Sequence, residues 1–182
     1  MASEVIDDLS SPVLEAFNVD LGLGTVTLDF SKPILISSLQ LSLATLQNHD
    51  TTPSESFLLT DATTESGDGS VIVLDLSYIQ ANILRDSTTF GTSMSDTYLN
   101  VLAGLAEDLN VRLTAATLLQ VRDILPDTVA PRVSTFVLDL NTGYINLTFD
   151  EPLTSFSANG ISIQNSDSQG DSTVQLLSLI HI

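Results

Sequence analysis

The sequence of 182 residues contains no cysteine and no tryptophan, and its single lysine is Lys32. Without cysteine there is no disulfide framework, no thiol nucleophile and no thiolate metal site. Lys and Arg together number 5 against 23 Asp and Glu, a formal net charge of −18 at pH 7. Nucleic acid and anionic lipid are bound through arginine and lysine, so neither is an expected partner. An acidic surface attracts divalent cations instead and keeps a β-rich chain soluble. No run of about eighteen apolar residues is present, so no membrane insertion is expected in this segment. Met1–Asp8 has neither the basic nor the apolar stretch of a secretory leader.

The chemistry of catalysis is equally sparse. The two histidines are His49, in a polar stretch, and His181, close to the end, and neither lies in a nucleophile–base motif. Carboxylate pairs such as Asp7-Asp8 and Asp150-Glu151 are adjacent in sequence. Successive residues of a strand point to opposite faces, so such pairs are poorly placed to flank one bond. No enzymatic activity is expected. Aromatic residues make up only 5% of the chain, too few to suggest a sugar-stacking platform.

What the chain does contain is hydrophobic residues, 43% of the total, and an internal repeat. An offset of 119 positions sets Pro12 over Pro131, Phe17 over Phe136, Asp20 over Asp139 and Gly24 over Gly143. At the same offset Leu28 meets Leu147, Phe30 meets Phe149 and Pro33 meets Pro152, all without a gap. Upstream, Val5–Pro12 lies over Ile124–Pro131, so residues 1–11 read as the end of a preceding repeat and its linker. Met1 is therefore not the expected natural start. Residues 12–126 read as one complete module, and 127–182 as the first half of another. The last six residues, 177–182, can be encoded by CTG TCT CTT ATA CAC ATC, a string that resembles a transposon-end sequencing adapter. The natural sequence is then expected to end near Leu176 or Leu177.

Within the repeat the period is two. Val26, Leu28 and Phe30 alternate with polar neighbours, as do Phe17, Val19 and Leu21, so each stretch predicts a half-buried strand. Gly22-Leu23-Gly24 and Asn141-Thr142-Gly143 supply hairpin turn chemistry between them. Further strands are expected around 39–46, 57–60, 71–76, 98–102 and 118–124. Asp75–Arg85 instead spaces its apolar residues three and four apart, with Ser77 or Asp75 as N-cap, and predicts one short helix. Several short strands and one helix in about 110 residues predict an all-β fold, an immunoglobulin-like β-sandwich in tandem repeat.

Three segments carry a family resemblance. Asp127-Thr128-Val129-Ala130-Pro131, Phe136–Gly143 and Leu147-Thr148-Phe149-Asp150-Glu151-Pro152-Leu153 resemble the opening of bacterial-type Ig-like (cadherin-like, adhesin-type) repeats. Asp96–Val101 is similar to a late strand of that family. The resemblance implies a large, tandemly repeated extracellular or cell-surface protein, with neighbouring copies or other surface proteins as partners. The first repeat departs from it, having Phe30-Ser31-Lys32-Pro33 where the second has Phe149-Asp150-Glu151-Pro152.

Tandem extracellular sandwiches often collect calcium at the joints between modules, and calcium needs six to eight oxygens. Asp8 and Asp127 fall at the linkers, while Asp150 and Glu151 end a strand that could approach one. These four are the candidate ligands, and calcium is the one expected cofactor, although aspartates also suit solvated turns. Asn146-Leu147-Thr148 is a glycosylation sequon with Asn146 as acceptor. The resulting expectation is a structural spacer of a rod, adhesin or filament, with calcium as the candidate stiffening ion. Its alternatives are a carbohydrate- or protein-binding module and a filament subunit that assembles by strand complementation.

Overall fold

The structure, a computed structural model, describes residues 9–153, 155–164 and 173–175. The chain divides into two compact units, Met1–Ala130 and Pro131–Ile182. Both are built of β-strands, and the chain is an all-β protein with one α-helix among the described residues.

The first unit opens with the hairpin that the alternation predicts. Strands β1 (Leu14–Asp20) and β2 (Thr25–Leu35) run antiparallel, pairing Phe17 with Leu28 and Val19 with Val26. All four of these side chains are fully buried, while their neighbours Asn18, Thr27, Asp20 and Thr25 form the pairs of the other face. The turn closes when the Leu23 N–H donates to Asp20 Oδ1 at 2.8 Å. Gly24 completes it at φ 67°, a left-handed conformation that glycine adopts without steric cost. A Cβ there would also stand 3.3 Å from the Ala81 Cβ. β2 continues through Pro33, with its pairing interrupted between Asp29 and Ile34, which accommodates a residue that has no N–H to give the ladder.

The remaining elements are β3 (Ala44–Gln47), β4 (Ser56–Leu58), β5 (Gly69–Asp75), α1 (Tyr78–Asp86), β6 (Tyr98–Val101), β7 (Glu107–Asp108), β8 (Thr117–Gln120) and β9 (Asp123–Leu125). One sheet has the order β5-β2-β1-β9, with β7 also on β2, and the other has the order β4-β3-β6-β8. Both sheets contribute to one buried cluster: Phe17, Leu28, Ile72 and Leu74 from the first, and Ala44, Leu46, Leu99 and Val101 from the second. Each sheet is apolar on one face only, so covering one with the other removes both faces from water.

The chain changes sheet within two residues. The Val121 N–H donates to Thr97 O at 2.9 Å beside the second sheet, and the Arg122 N–H donates to Phe17 O at 2.9 Å on β1 of the first. β9 then runs parallel to β1, with Val19 opposite Ile124. The single strand expected over 118–124 is therefore two strands in two sheets. The strand expected over 39–46 is shorter as well. Ile36–Ser38 and Leu41–Leu43 are 3₁₀ turns, and only Ala44–Gln47 pairs as a strand. The helix begins one turn later than the expected segment, at a Ser77 N-cap whose hydroxyl accepts the Gln80 N–H, while the Gln80 side chain accepts the Ser77 N–H.

In the second unit β10 (Val133–Asp139) and β11 (Tyr144–Phe149) form a hairpin, and β12 (Ser162–Gln164) pairs with β13 (Thr173–Gln175). Shifted by 119, the β10–β11 register reproduces the β1–β2 register pair for pair, with its irregularity at the same place. The turn is also equivalent: Asp139 Oδ1 accepts the Thr142 N–H at 3.2 Å, and Gly143 has φ 75°. Residues 1–8 and 177–182 lie outside the described residues, so the expectations placed on them stay with the sequence.

Phe17 occupies the middle of the core with no exposed surface, and truncating such a side chain leaves a cavity. Phe17→Ala is expected to destabilise the first unit by about 3–5 kcal/mol, measured by urea unfolding. Asn18→Ala, one residue away on the outer face, is expected to cost less than about 1 kcal/mol.

Candidate functional site

Of the four sequence-selected ligands, Asp8 lies outside the described residues. Asp127 belongs to the first unit, and Asp150 and Glu151 to the second. Asp127 has a cation beside it already. Arg85, in the last turn of α1, places its Nε 3.1 Å from Asp127 Oδ2, with both side chains largely buried at 16% and 14% exposure. The same guanidinium donates to Leu21 O at 2.9 Å and to Gly22 O at 3.1 Å, both in the β1–β2 turn. Asp127 Oδ1 accepts the Val129 N–H at 2.9 Å. One arginine thus ties together the helix, the first hairpin and the segment leaving the first unit. Guanidinium suits this role because its planar fork satisfies several acceptors at once.

Asp150 is engaged locally. Its carboxylate accepts the Arg132 N–H at 2.6 Å, and its own N–H donates to Arg132 O at 3.1 Å. Ser31 and Val13 make the equivalent pair of bonds in the first unit, at 3.0 Å and 2.8 Å. Glu151 is the second residue after β11. Among the described residues, no group of three or more His, Asp or Glu side chains is arranged to hold a metal ion. Asn146 sits exposed in β11 opposite Val137. His49 Nδ1 accepts the N–H groups of Thr51 and Thr52 at 3.2 Å and 3.3 Å, which closes an exposed turn.

The outer face of the first sheet carries an open depression of about 680 Å³. Its lining includes Asn18, Asp20, Thr27, Arg122 and Asp123, and no aromatic ring. Arg122 crosses this face to pair with Asp29 and donates to Asn18 Oδ1 at 3.1 Å.

Two carboxylates that sequence spacing does not single out are built into the fold. Asp108, 3% exposed on β7, accepts the N–H groups of Asn110 and Arg112 through Oδ1 at 2.8 Å and 2.9 Å. It closes a loop in which Val111 stands at φ 59°, while its Oδ2 has no hydrogen-bond partner among the described residues. Asp96 ends the turn before β6. Burial raises its pKa, but this is outweighed by hydrogen bonds from the Thr92 hydroxyl, the Ser93 N–H and hydroxyl, and the Thr97 hydroxyl, which together hold it below the usual carboxylate value.

No protein-family model matches the chain, and no curated protein does. Among solved structures, the N-terminal part of the bacterial S-layer protein SbsC is similar over 76% of this chain and 31% of its own, at 11% identity and a TM-score of 0.41. A thermostable esterase is similar over 75% of this chain and 41% of its own, at 14% identity and a TM-score of 0.36. The chain spans less than half of either protein, and neither likeness bears on its function. No helix among the described residues is long and apolar enough to cross a membrane.

Two predictions follow from these contacts. Arg85→Ala leaves Asp127 largely buried without its counter-ion and is expected to cost about 3 kcal/mol, measured by chemical unfolding; Arg85→Lys restores the charge but not the fork and should recover only part. Asp96, with a pKa lowered in the folded state, contributes stability that is present above its unfolded pKa and is lost as pH falls through the folded value. Unfolding midpoints should therefore fall as the solution is acidified below the usual carboxylate range, and less steeply in Asp96→Asn.

Proposed function

We propose that the chain is a structural spacer segment from a tandem immunoglobulin-like β-sandwich repeat protein of the cell surface or extracellular space. The observation that carries this reading is the shared hairpin. Two units 119 residues apart use one register, one irregularity and one glycine-closed turn. The sheet composition of the first unit supports the sandwich: β1, β2 and β5 lie in one sheet and β3, β6 and β8 in the other, the division of strands in immunoglobulin-like folds. The side chains with most chemical potential are committed to the fold, Arg85 and Asp127 to each other and Asp96 to its turn. A module that buries its own core and is joined by a short linker suits a load-bearing or spacing role.

A carbohydrate- or protein-binding role would have the outer depression as its place, and the absence of aromatic rings there disfavours sugar stacking. Calcium stiffening enters through Asp150 and Glu151, because Asp127 already has Arg85 as counter-ion. The first unit is therefore expected to melt at the same temperature in calcium and in chelator at matched ionic strength. A calcium-specific rise would return Asp127 to the ligand set.

Concatemers of residues 12–130 stretched by force spectroscopy test the spacer. Independent modules of about 119 residues should give a train of equal unfolding events, each releasing about 40 nm of chain. Merged or unequal events would overturn the reading.

A further inference from the structure

The outer depression is not the only surface shaped to receive a partner. Helix α1 packs on the sandwich through Gln80, Ala81 and Leu84, which are buried, while Ile79 and Ile83 on its other side are 70% and 42% exposed. One turn separates the two isoleucines, so they form a single apolar stripe. The solvent side of a surface helix is ordinarily charged or polar. Gln80 Nε2 donates to Leu58 O at 2.7 Å and holds the helix against β4. An open groove of about 470 Å³ runs between the two, and its lining includes Ile83, Ser56, Glu55 and Asp86. Leu58, 47% exposed, lies two residues beyond Ser56 on the same face of β4. The groove shares no lining residue with the outer depression.

The apolar stripe runs into negative charge. Asp86 is the last residue of α1, at the end where the carbonyls carry the negative pole of the helix and a cation is favoured. No ion-pair partner reaches it among the described residues. Arg85, the one basic residue of that turn, is directed to Asp127, Leu21 O and Gly22 O instead. Glu55, also in the groove lining, accepts the hydroxyls of Ser87 and Thr89 through Oε2, at 3.0 Å each. Its Oε1 has no hydrogen-bond partner among the described residues. The hydroxyls orient this carboxylate without neutralising it. A helix that breaks its own electrostatic preference beside an exposed apolar stripe has the character of a functional surface.

We propose that this groove docks a basic partner protein through an extended segment carrying aliphatic residues and arginine. The acidic end calls for a cation and the stripe for aliphatic side chains, and the spacing links the two. Ile79 and Asp86 are seven positions apart on α1, roughly 10 Å along the axis, the reach of about three residues of extended chain. Arginine is the fitting cation because its planar fork satisfies more than one carboxylate oxygen. A second copy of this chain is a poor occupant, since Lys and Arg number only 5 against 23 acids, and Arg85 and Arg122 are committed within the first unit. The inference stands on the first unit alone and does not depend on the repeat.

The test uses the full chain and the synthetic peptide Gly-Leu-Leu-Ser-Arg-Arg-Gly, with Gly-Ser-Ser-Ser-Arg-Arg-Gly as an analogue of equal charge. Titration at physiological salt, followed by amide chemical shifts, should give saturable changes centred on Ser54–Leu58 and Ile79–Ser87. The serine analogue should bind about tenfold more weakly, because it buries no aliphatic surface. Ile79→Ser with Ile83→Ser should weaken the leucine peptide by a similar factor, and Glu55→Gln with Asp86→Asn by about fivefold. Glu15→Gln with Glu65→Gln removes the same charge from exposed positions elsewhere and should leave binding unchanged. The peptide pair leaves the protein untouched, so the aliphatic comparison holds whatever a substitution does to stability. The proposal is overturned if binding does not saturate, if the serine analogue binds equally, or if the distant charge pair matters as much as the groove pair. Shift changes at the outer depression in place of the groove would overturn it as well.

Discussion

The β1–β2 hairpin is the constraint on which the rest of the first unit depends. Its two-residue period puts Phe17, Val19, Val26 and Leu28 on one face, and its turn fixes which residues oppose each other. A slip of one residue would turn every one of these side chains to water. With the register set, each neighbouring element has a defined task. β5 extends the sheet on the β2 side, β9 extends it on the β1 side, and β3 and β6 supply Ala44, Leu46, Leu99 and Val101 to the facing side of the core.

The same hairpin anchors the polar contacts that lock the unit's periphery. Leu21 O and Gly22 O, at the β1–β2 turn, receive the Arg85 guanidinium, which also pairs with Asp127. Chain carbonyls at a turn have no ladder partner, so a donor that satisfies two of them removes a desolvation cost while docking α1. Arg122 acts in parallel on the outer face, where its backbone joins β1 and its side chain pairs with Asp29 of β2. In this strongly acidic chain, at least two of the four arginines stitch segments distant in sequence to one hairpin.

How much of this was legible in the sequence depended on whether the signal was local. The hairpin was legible because alternation and a glycine turn are read within about fifteen residues, and its repetition at an offset of 119 reinforced it. The helix was legible from its apolar spacing and the Ser77 cap. The change of sheet at Val121–Arg122 was not, because its one local trace is the polar pair Arg122-Asp123 that breaks the alternation, and the switch itself lies in which strand each N–H meets. Leu39, Leu41 and Leu43 alternate like a strand, yet the chain coils there in 3₁₀ turns, with the Leu39 N–H on Ile36 O and the Leu43 N–H on Gln40 O. Of the candidate ligands, Asp127 was selected for its place at a linker. Its partner Arg85 lies 42 positions earlier, a separation at which sequence pattern carries no information.

Charge and edge protection act together against association. A net charge of −18 makes two copies repel each other over roughly a Debye length, about 8 Å at physiological salt. Within the first unit the sheet margins are blunted as well, as edge strands in soluble proteins usually are. β4 and β8 have 3 and 4 residues. The outer edge of β5 is occupied at Val73, whose N–H donates to Ser66 Oγ and whose carbonyl accepts the Thr64 hydroxyl. Short range and long range thus work in the same sense: the field keeps copies apart, and the edges offer little to pair with where they meet.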